Sequence, residues 1–218
     1  YCAFAQMAAH LVFHGMGLES TEQPSMDDQK SAFETANHLV SDDMCIMVPD
    51  GDQFVLAAAC LCAPTFWSLK EMLGRPLAGL HGAVPGGDPM LASRITRIFK
   101  ALRKDVFLER FNWTVQFGGE RFTPSSAPMK AALLKLSPEE AARKLYLRVE
   151  RQTVRSLDYN GAVLFTIRVC VDPLGPILAN AAYREAFETA WRRTDTALRN
   201  YKGWPHYEAA VDHLLAHT

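Results

Sequence analysis

Residues 145–171 read LYLRVERQTVRSLDYNGAVLFTIRVCV, two apolar-polar alternating runs joined by Asp158-Tyr-Asn-Gly161. Period-two alternation rich in Val, Ile, Leu and Phe predicts strands, and Asn-Gly between such runs predicts an antiparallel hairpin. The chain is therefore expected to be built on an antiparallel sheet, with helices added around it. That makes the fold class α+β.

Alternation sorts the side chains of this hairpin into two faces. Leu145, Leu147, Val149, Arg151, Thr153 and Arg155 share one; Tyr146, Arg148, Glu150, Gln152 and Val154 share the other. Any tight register about the turn sets Arg168 opposite Arg151 or Thr153, so Arg151 and Arg168 converge on one face. Like charges facing each other on a sheet repel, so a carboxylate or another anion is expected between or beside them. Glu150 stands two residues from Arg148 on the opposite face. Both faces also read as a solvated sheet surface, although Phe165, Ile167 and Val169 imply that much of the sheet is covered.

Working outward, Cys45 to Val48 and Phe54 to Cys62 form a second predicted hairpin across Pro49-Asp-Gly-Asp52. Ala57, Ala58 and Ala59 on its second strand admit close approach by a helix or by a flat ligand. FNWTVQF, Phe111 to Phe117, is a half-buried strand. Trp67 to Leu73 reads as a short helix with Thr65 as N-cap and Gly74 as its stop. Leu91 to Arg103 reads as an amphipathic helix, with Ile95, Ile98, Phe99 and Leu102 inward and Arg94, Arg97, Lys100 and Lys104 displaced from them. That basic face is either a solvated surface or a docking patch for an acidic electron-transfer partner. Ser137-Pro-Glu-Glu opens a capped helix, Asn180 to Tyr201 reads as one long helix, and Pro205 to Ala216 as the last. One domain over residues 1–218 is expected: an N-terminal helical segment over 1–42, a sheet core over 43–175 and C-terminal helices over 176–218.

Between the two predicted helices lies Gly74 to Pro89, GRPLAGLHGAVPGGDP, with five glycines and three prolines around the single His81. Glycine freedom and fixed proline φ shape such a loop, and Leu77, Leu80, Ala83 and Val84 argue against disorder. Two readings stand: a tight loop with a solvated histidine, or a rigid loop presenting His81.

Composition narrows the function classes. With 23 basic and 24 acidic residues the net charge is -1, which gives no sign of a nucleic-acid or anionic-membrane partner. No apolar run approaches the ~20 residues of a bilayer span, and the apolar opening lacks a basic n-region. The five cysteines include no CxxC pair, so a reducing, cytoplasmic setting and no zinc site are expected. His10 and His14 stand four apart on a predicted first helix and read as surface or core-edge histidines, and His206, His213 and His217 fall roughly on one face of the last, where they could chelate metal only adventitiously.

The segments LGRPLAGLHGAVPG, FNWTVQ, LYLRVERQTVRSL and GAVLFTIRVCVDPL, in this order, resemble the haem-binding alpha subunit of the haem-dependent oxidative N-demethylase family, which has a PAS-like fold. The resemblance implies haem b whose iron is held by His81, the only metal ligand expected. It implies Arg148, Arg151 and Arg168 as partners of the haem propionates or as donors on the iron's open side, and Glu150, Arg151 and Arg168 as catalytic residues, with Glu150 pairing with a cationic amine or relaying protons. The implied reaction is oxidative demethylation of a small, dimethylamine-like methylated amine by O2, releasing formaldehyde. No dinucleotide-binding fingerprint or iron–sulfur cysteine set is present in the sequence. Electrons are then expected from NADPH through a separate flavin/iron–sulfur reductase. The same pocket without a substrate would make the chain a haem-based gas or redox sensor or a haem carrier, and without haem a PAS-like interaction module.

Overall fold

The structure is a computed structural model and describes residues 33–81, 89–157 and 160–218. Its centre is one five-stranded antiparallel sheet in the order β2-β1-β5-β4-β3, from β1 (Asp42–Asp50), β2 (Gln53–Cys60), β3 (Phe107–Phe117), β4 (Leu145–Ser156) and β5 (Val163–Pro173). The α+β class follows, with helices flanking the sheet and closing the C-terminal end. The β4–β5 hairpin sets Arg151 opposite Arg168, Thr153 opposite Thr166 and Gln152 opposite Ile167. At its turn, Asn160 (φ 47°) and Gly161 (φ 71°) both take the left-handed conformation that Asn-Gly tolerates best. In the β1–β2 hairpin the strands run one or two residues farther into the turn than the apolar runs suggest, because Gly51 (φ 58°) lets the chain reverse within two residues.

Between β2 and β3 lie α1 (Leu69–Met72), α2 (Leu77–His81) and α3 (Pro89–Ala101). Leu77, Leu80, Ile95, Phe99 and Leu102 from α2, α3 and the turn after α3 pack on Cys45, Met47, Phe54, Leu56, Val154, Val163 and Phe165. This layer therefore covers the sheet face that carries the even-numbered residues of β4. At the β3 end, the other face is covered by the C-terminal helices: α6 (Leu174–Leu178), α7 (Ala181–Arg193), α8 (Thr196–Tyr201) and α9 (Glu208–His217). There Trp191, Trp204, Leu174, Leu178 and Val211 are fully buried against Val115, Leu145 and Leu147. Trp191 stacks on Trp204 at 4.3 Å between ring centroids, and Trp204 meets Trp113 of β3 at 4.7 Å. At the β1–β2 end, the helical turn 33–38 brings Phe33 and Ala36 onto Met44, Ile46 and Val48.

Several elements depart from the sequence expectation for local reasons. The Gly74–Pro89 stretch is not loop throughout: α2 forms inside it, after Pro76, with Leu77 buried as its anchor. Thr65 caps no helix, since α1 starts four residues later behind Ser68. Ile98 is 46% exposed, so the inward stripe of α3 is narrower than its apolar residues suggest. The long helix expected from Asn180 to Tyr201 is two helices, because the Asp195 side chain accepts from Leu198 N at 2.9 Å and starts a new one. The last helix begins with a 3-10 turn, Trp204–His206, behind Gly203 at φ 70°. By contrast, of the two helices between β3 and β4, α4 (Ala127–Leu133) and α5 (Pro138–Ala142), the second forms with the capping box its sequence announces, Ser137 and Glu140 exchanging bonds. The predicted first helix, with His10 and His14, lies outside the described residues. Among the described residues, no helix is long and apolar enough to cross a membrane.

Candidate functional site

His81 is the last residue of α2, the helix seated on the sheet face that carries Arg148, Glu150, Gln152 and Val154. The residues that follow it, 82–88, lie outside the description. Apolar side chains dominate this face near α2: Val154 and Phe165 are half-buried and Ile167 is buried. Farther along β4 it turns polar.

That polar end is centred on Arg148, fully removed from solvent near the start of β4. A buried guanidinium is tolerated only when its donors are matched, and here each of the five N–H groups has an acceptor. Nε donates to Thr65 Oγ1 at 2.8 Å. Nη1 donates to Gln116 Oε1 at 3.1 Å and Thr123 Oγ1 at 3.4 Å. Nη2 donates to the carbonyls of Ala63 at 2.6 Å and Arg121 at 3.1 Å. Burial pushes the Arg148 pKa below its ordinary value, and the nearby Glu150 and Asp43 carboxylates pull it back up. Arg148 thus ties two loops to the sheet, and no donor is left for an external anion.

Glu150 is buried beside it. Its Oε1 accepts from Thr65 Oγ1, and its Oε2 accepts from Asn112 Nδ2 at 3.1 Å and Gln152 Nε2 at 2.7 Å. Thr65 therefore bridges guanidinium and carboxylate through a single hydroxyl. Lys202 reaches the same neighbourhood, donating to Asn112 Oδ1 at 2.9 Å and to the Trp113 carbonyl. Burial lowers the Lys202 pKa, and Glu150 opposes that shift. Tyr201 is raised, by burial first and by Glu150 second.

Arg151 and Arg168 project from the other face. They stand directly opposite each other, and each has the carboxylate that like-charge repulsion requires. Arg151 Nε donates to Glu109 Oε2 at 2.5 Å, and Arg168 Nη2 donates to Asp42 Oδ2 at 2.6 Å. Both arginine side chains are 47% exposed. An open cleft of about 400 Å³ beside them is lined by Lys104, Phe107, Arg151, Thr153 and Arg155.

The expected site residues thus divide. The helix ending in His81 shares a sheet face with Arg148 and Glu150, while the sheet separates all three from Arg151 and Arg168. Thr65, read from the sequence as a helix cap, joins the cluster with Asn112, Gln152 and Lys202, none of them expected there; Gln152, two residues from Glu150 on one strand face, is within reach of period-two reasoning. Among the described residues, no three His, Cys, Asp or Glu side chains stand close enough to hold a metal ion by themselves. The family model described as "Haem-dependent oxidative N-demethylase, alpha subunit-like" matches residues 6–212 of the chain.

Proposed function

The chain belongs to the haem-dependent oxidative N-demethylase, alpha subunit-like family, and from that premise we propose that it holds haem b through His81 on a PAS-like sheet and demethylates a small methylated amine. The observation that carries this reading is the pairing of α2, ending in His81, with a sheet face that is apolar near the helix and carries the buried Glu150 carboxylate farther along.

The residues present fit such a group. A porphyrin brings four nitrogens of its own, so one imidazole suffices where a bare ion would need three or more side chains. Val154, Phe165 and Ile167 make the sheet side of this region apolar, as the surroundings of a macrocycle must be. The fit does not extend to every arginine. Arg148 has spent its donors internally, and Arg151 and Arg168 lie behind the sheet, so the reading assigns the propionates to none of these three.

When bound, haem supplies the redox chemistry: reduction of dioxygen and delivery of one oxygen atom to an N-methyl carbon. The balance is one amine, one O2, two electrons and two protons, giving a hydroxymethylamine and water; the hydroxymethylamine then breaks its C–N bond to release formaldehyde and the demethylated amine. This chain's own contribution is position and charge. Glu150 is the group suited to holding a protonated amine or passing a proton, and Thr65, Asn112 and Gln152 fix both its oxygens. Arg148 places a positive charge one hydroxyl away from it. Membership of an alpha-subunit family implies further subunits, and we assign electron delivery to a separate NADPH-dependent reductase.

The test is an absorption spectrum of the haem-reconstituted chain, oxidised, reduced and under carbon monoxide, followed by formaldehyde detection across a panel of secondary and tertiary methylamines with reductant and O2. A Soret band that shifts with carbon monoxide, together with formaldehyde from at least one amine, supports the reading. Haem uptake without turnover of any amine points to a sensor or carrier. No haem uptake by the folded chain refutes the haem assignment.

A further inference from the structure

The outer face of α3 is unusual for a chain whose net charge is -1. Arg94, Arg97 and Lys100 are all exposed there, and Arg103 and Lys104 continue the basic surface past the helix end. Lys104 then lines the cleft with Arg151 and Arg155, so the basic surface runs from α3 onto the open sheet face. Among the described residues, Asp52 meets Lys100 and Asp105 meets Arg103, each at 3.5 Å and largely exposed, where such pairs contribute little. Arg97 makes no ion pair among the described residues. Exposed apolar side chains lie within the same stripe, Met90 at 59% and Ile98 at 46%, with Arg94 packed on the Met90 sulfur at 3.6 Å. Apolar contacts ringed by one sign of charge suit a folded protein partner better than a polyanion, which would need the charges alone.

The position of this helix matters as much as its charge. The inner residues of α3 share one hydrophobic cluster with α2, whose last residue is His81. A protein seated on the outer face of α3 would stand about one helix layer, roughly 8–10 Å between axes, from the helix carrying the proposed iron ligand.

We propose that the outer face of α3, centred on Arg94, Arg97 and Ile98, is the docking surface for an acidic one-electron carrier protein that reduces this chain. This rests on the haem reading for its purpose but not for its binding test. Attraction between the basic stripe and an acidic partner accelerates encounter, and the acceleration falls as salt screens it over the ~8–10 Å Debye length of physiological buffers.

The experiment uses the full chain and a plant-type [2Fe–2S] ferredoxin as an acidic probe. Binding is measured by calorimetry or NMR titration at about 20 and 200 mM salt, and haem reduction by stopped flow with dithionite as the small-molecule control. Arg94→Glu/Arg97→Glu is expected to weaken ferredoxin binding at low salt by tenfold or more and to slow haem reduction by ferredoxin in proportion, leaving reduction by dithionite unchanged. The control Arg192→Glu/Arg193→Glu, on α7, is expected to change binding less than twofold. Ile98→Ala tests the apolar part without altering charge, with an expected three- to tenfold loss. Equal losses in both charge-reversal variants, salt-independent binding, or stronger Arg94- and Arg97-dependent binding of a double-stranded DNA oligonucleotide would overturn the proposal. A chain that takes no haem but binds ferredoxin through Arg94 and Arg97 would retain the docking surface while refuting the haem reading.

Discussion

Arg148→Met tests the buried network directly, because methionine keeps an unbranched apolar stem and removes only the guanidinium. In the wild type five donors are matched. The variant strands the Ala63 and Arg121 carbonyls and Gln116 Oε1, whereas the Thr65 and Thr123 hydroxyls keep acceptors in Glu150 and the Pro64 carbonyl. Each stranded buried acceptor costs ~1–3 kcal/mol, partly relieved by relaxation or water. Glu150 also loses the cation one hydroxyl away, and removing one member of a buried charge pair costs ~3–5 kcal/mol in total. The expected loss is therefore about 3–5 kcal/mol, or roughly 6–20 °C in Tm for a domain of this size. Urea unfolding followed by far-UV circular dichroism measures it, with the m-value checked for constancy. Adding Glu150→Gln to Arg148→Met is expected to cost less than the sum of the single changes, by ~0.5–3 kcal/mol, since the carboxylate no longer needs a countercharge. A loss below about 1 kcal/mol for Arg148→Met would refute the five-bond network.

Trp204→Ala removes a fully buried indole stacked on Trp191 and leaves Thr114 Oγ1 without its 3.0 Å donor, so a loss of about 3–5 kcal/mol and a weaker near-UV dichroism band are expected; an unchanged urea midpoint would contradict the packing. Burial pushes the Cys45 thiol from 9.0 up to about 12, so the folded chain holds this proton where the unfolded chain releases it. That stabilising difference is fully present below about pH 9 and is lost progressively as pH rises toward about 12, and Tyr207, raised to about 12 by burial, adds to the fall above its ordinary 10.0. Urea midpoints between pH 8 and about 10.5 should decline, and Cys45→Ala should flatten the decline; a flat wild-type profile would contradict it.

The elements that local pattern dictates were legible in the sequence. The β4–β5 hairpin carries strict alternation and Asn160-Gly161, which places Arg151 against Arg168 without knowledge of any other strand. The α5 cap is equally local, being complete within four residues. What escaped was whatever depended on distant partners. Asp42, which holds Arg168, is 126 residues away in sequence, and Glu109, which holds Arg151, is 42 away. From the sequence Arg148 reads as available for a ligand, because two of its acceptors are backbone carbonyls, at Ala63 and Arg121, which no side-chain pattern announces. Thr65 illustrates the same limit: a threonine ahead of a helical run reads as a cap, yet tertiary packing turns its hydroxyl to Arg148 and Glu150. The first four residues of β3 lie outside the predicted strand because Phe107, Leu108, Glu109 and Arg110 are all exposed at the sheet edge, where no buried face imposes alternation. Separation of His81 from Arg151 and Arg168 by the sheet required knowing which face receives α2.

The central claim is that His81 holds haem iron on the face shared with Arg148 and Glu150, and the Soret spectrum of His81→Ala beside the wild type tests it most directly. The account predicts a stoichiometric band in the wild type and, in a variant with unchanged far-UV circular dichroism, either lost haem or a shifted band that added imidazole restores. An identical band in both proteins, or none in the folded wild type, would contradict it.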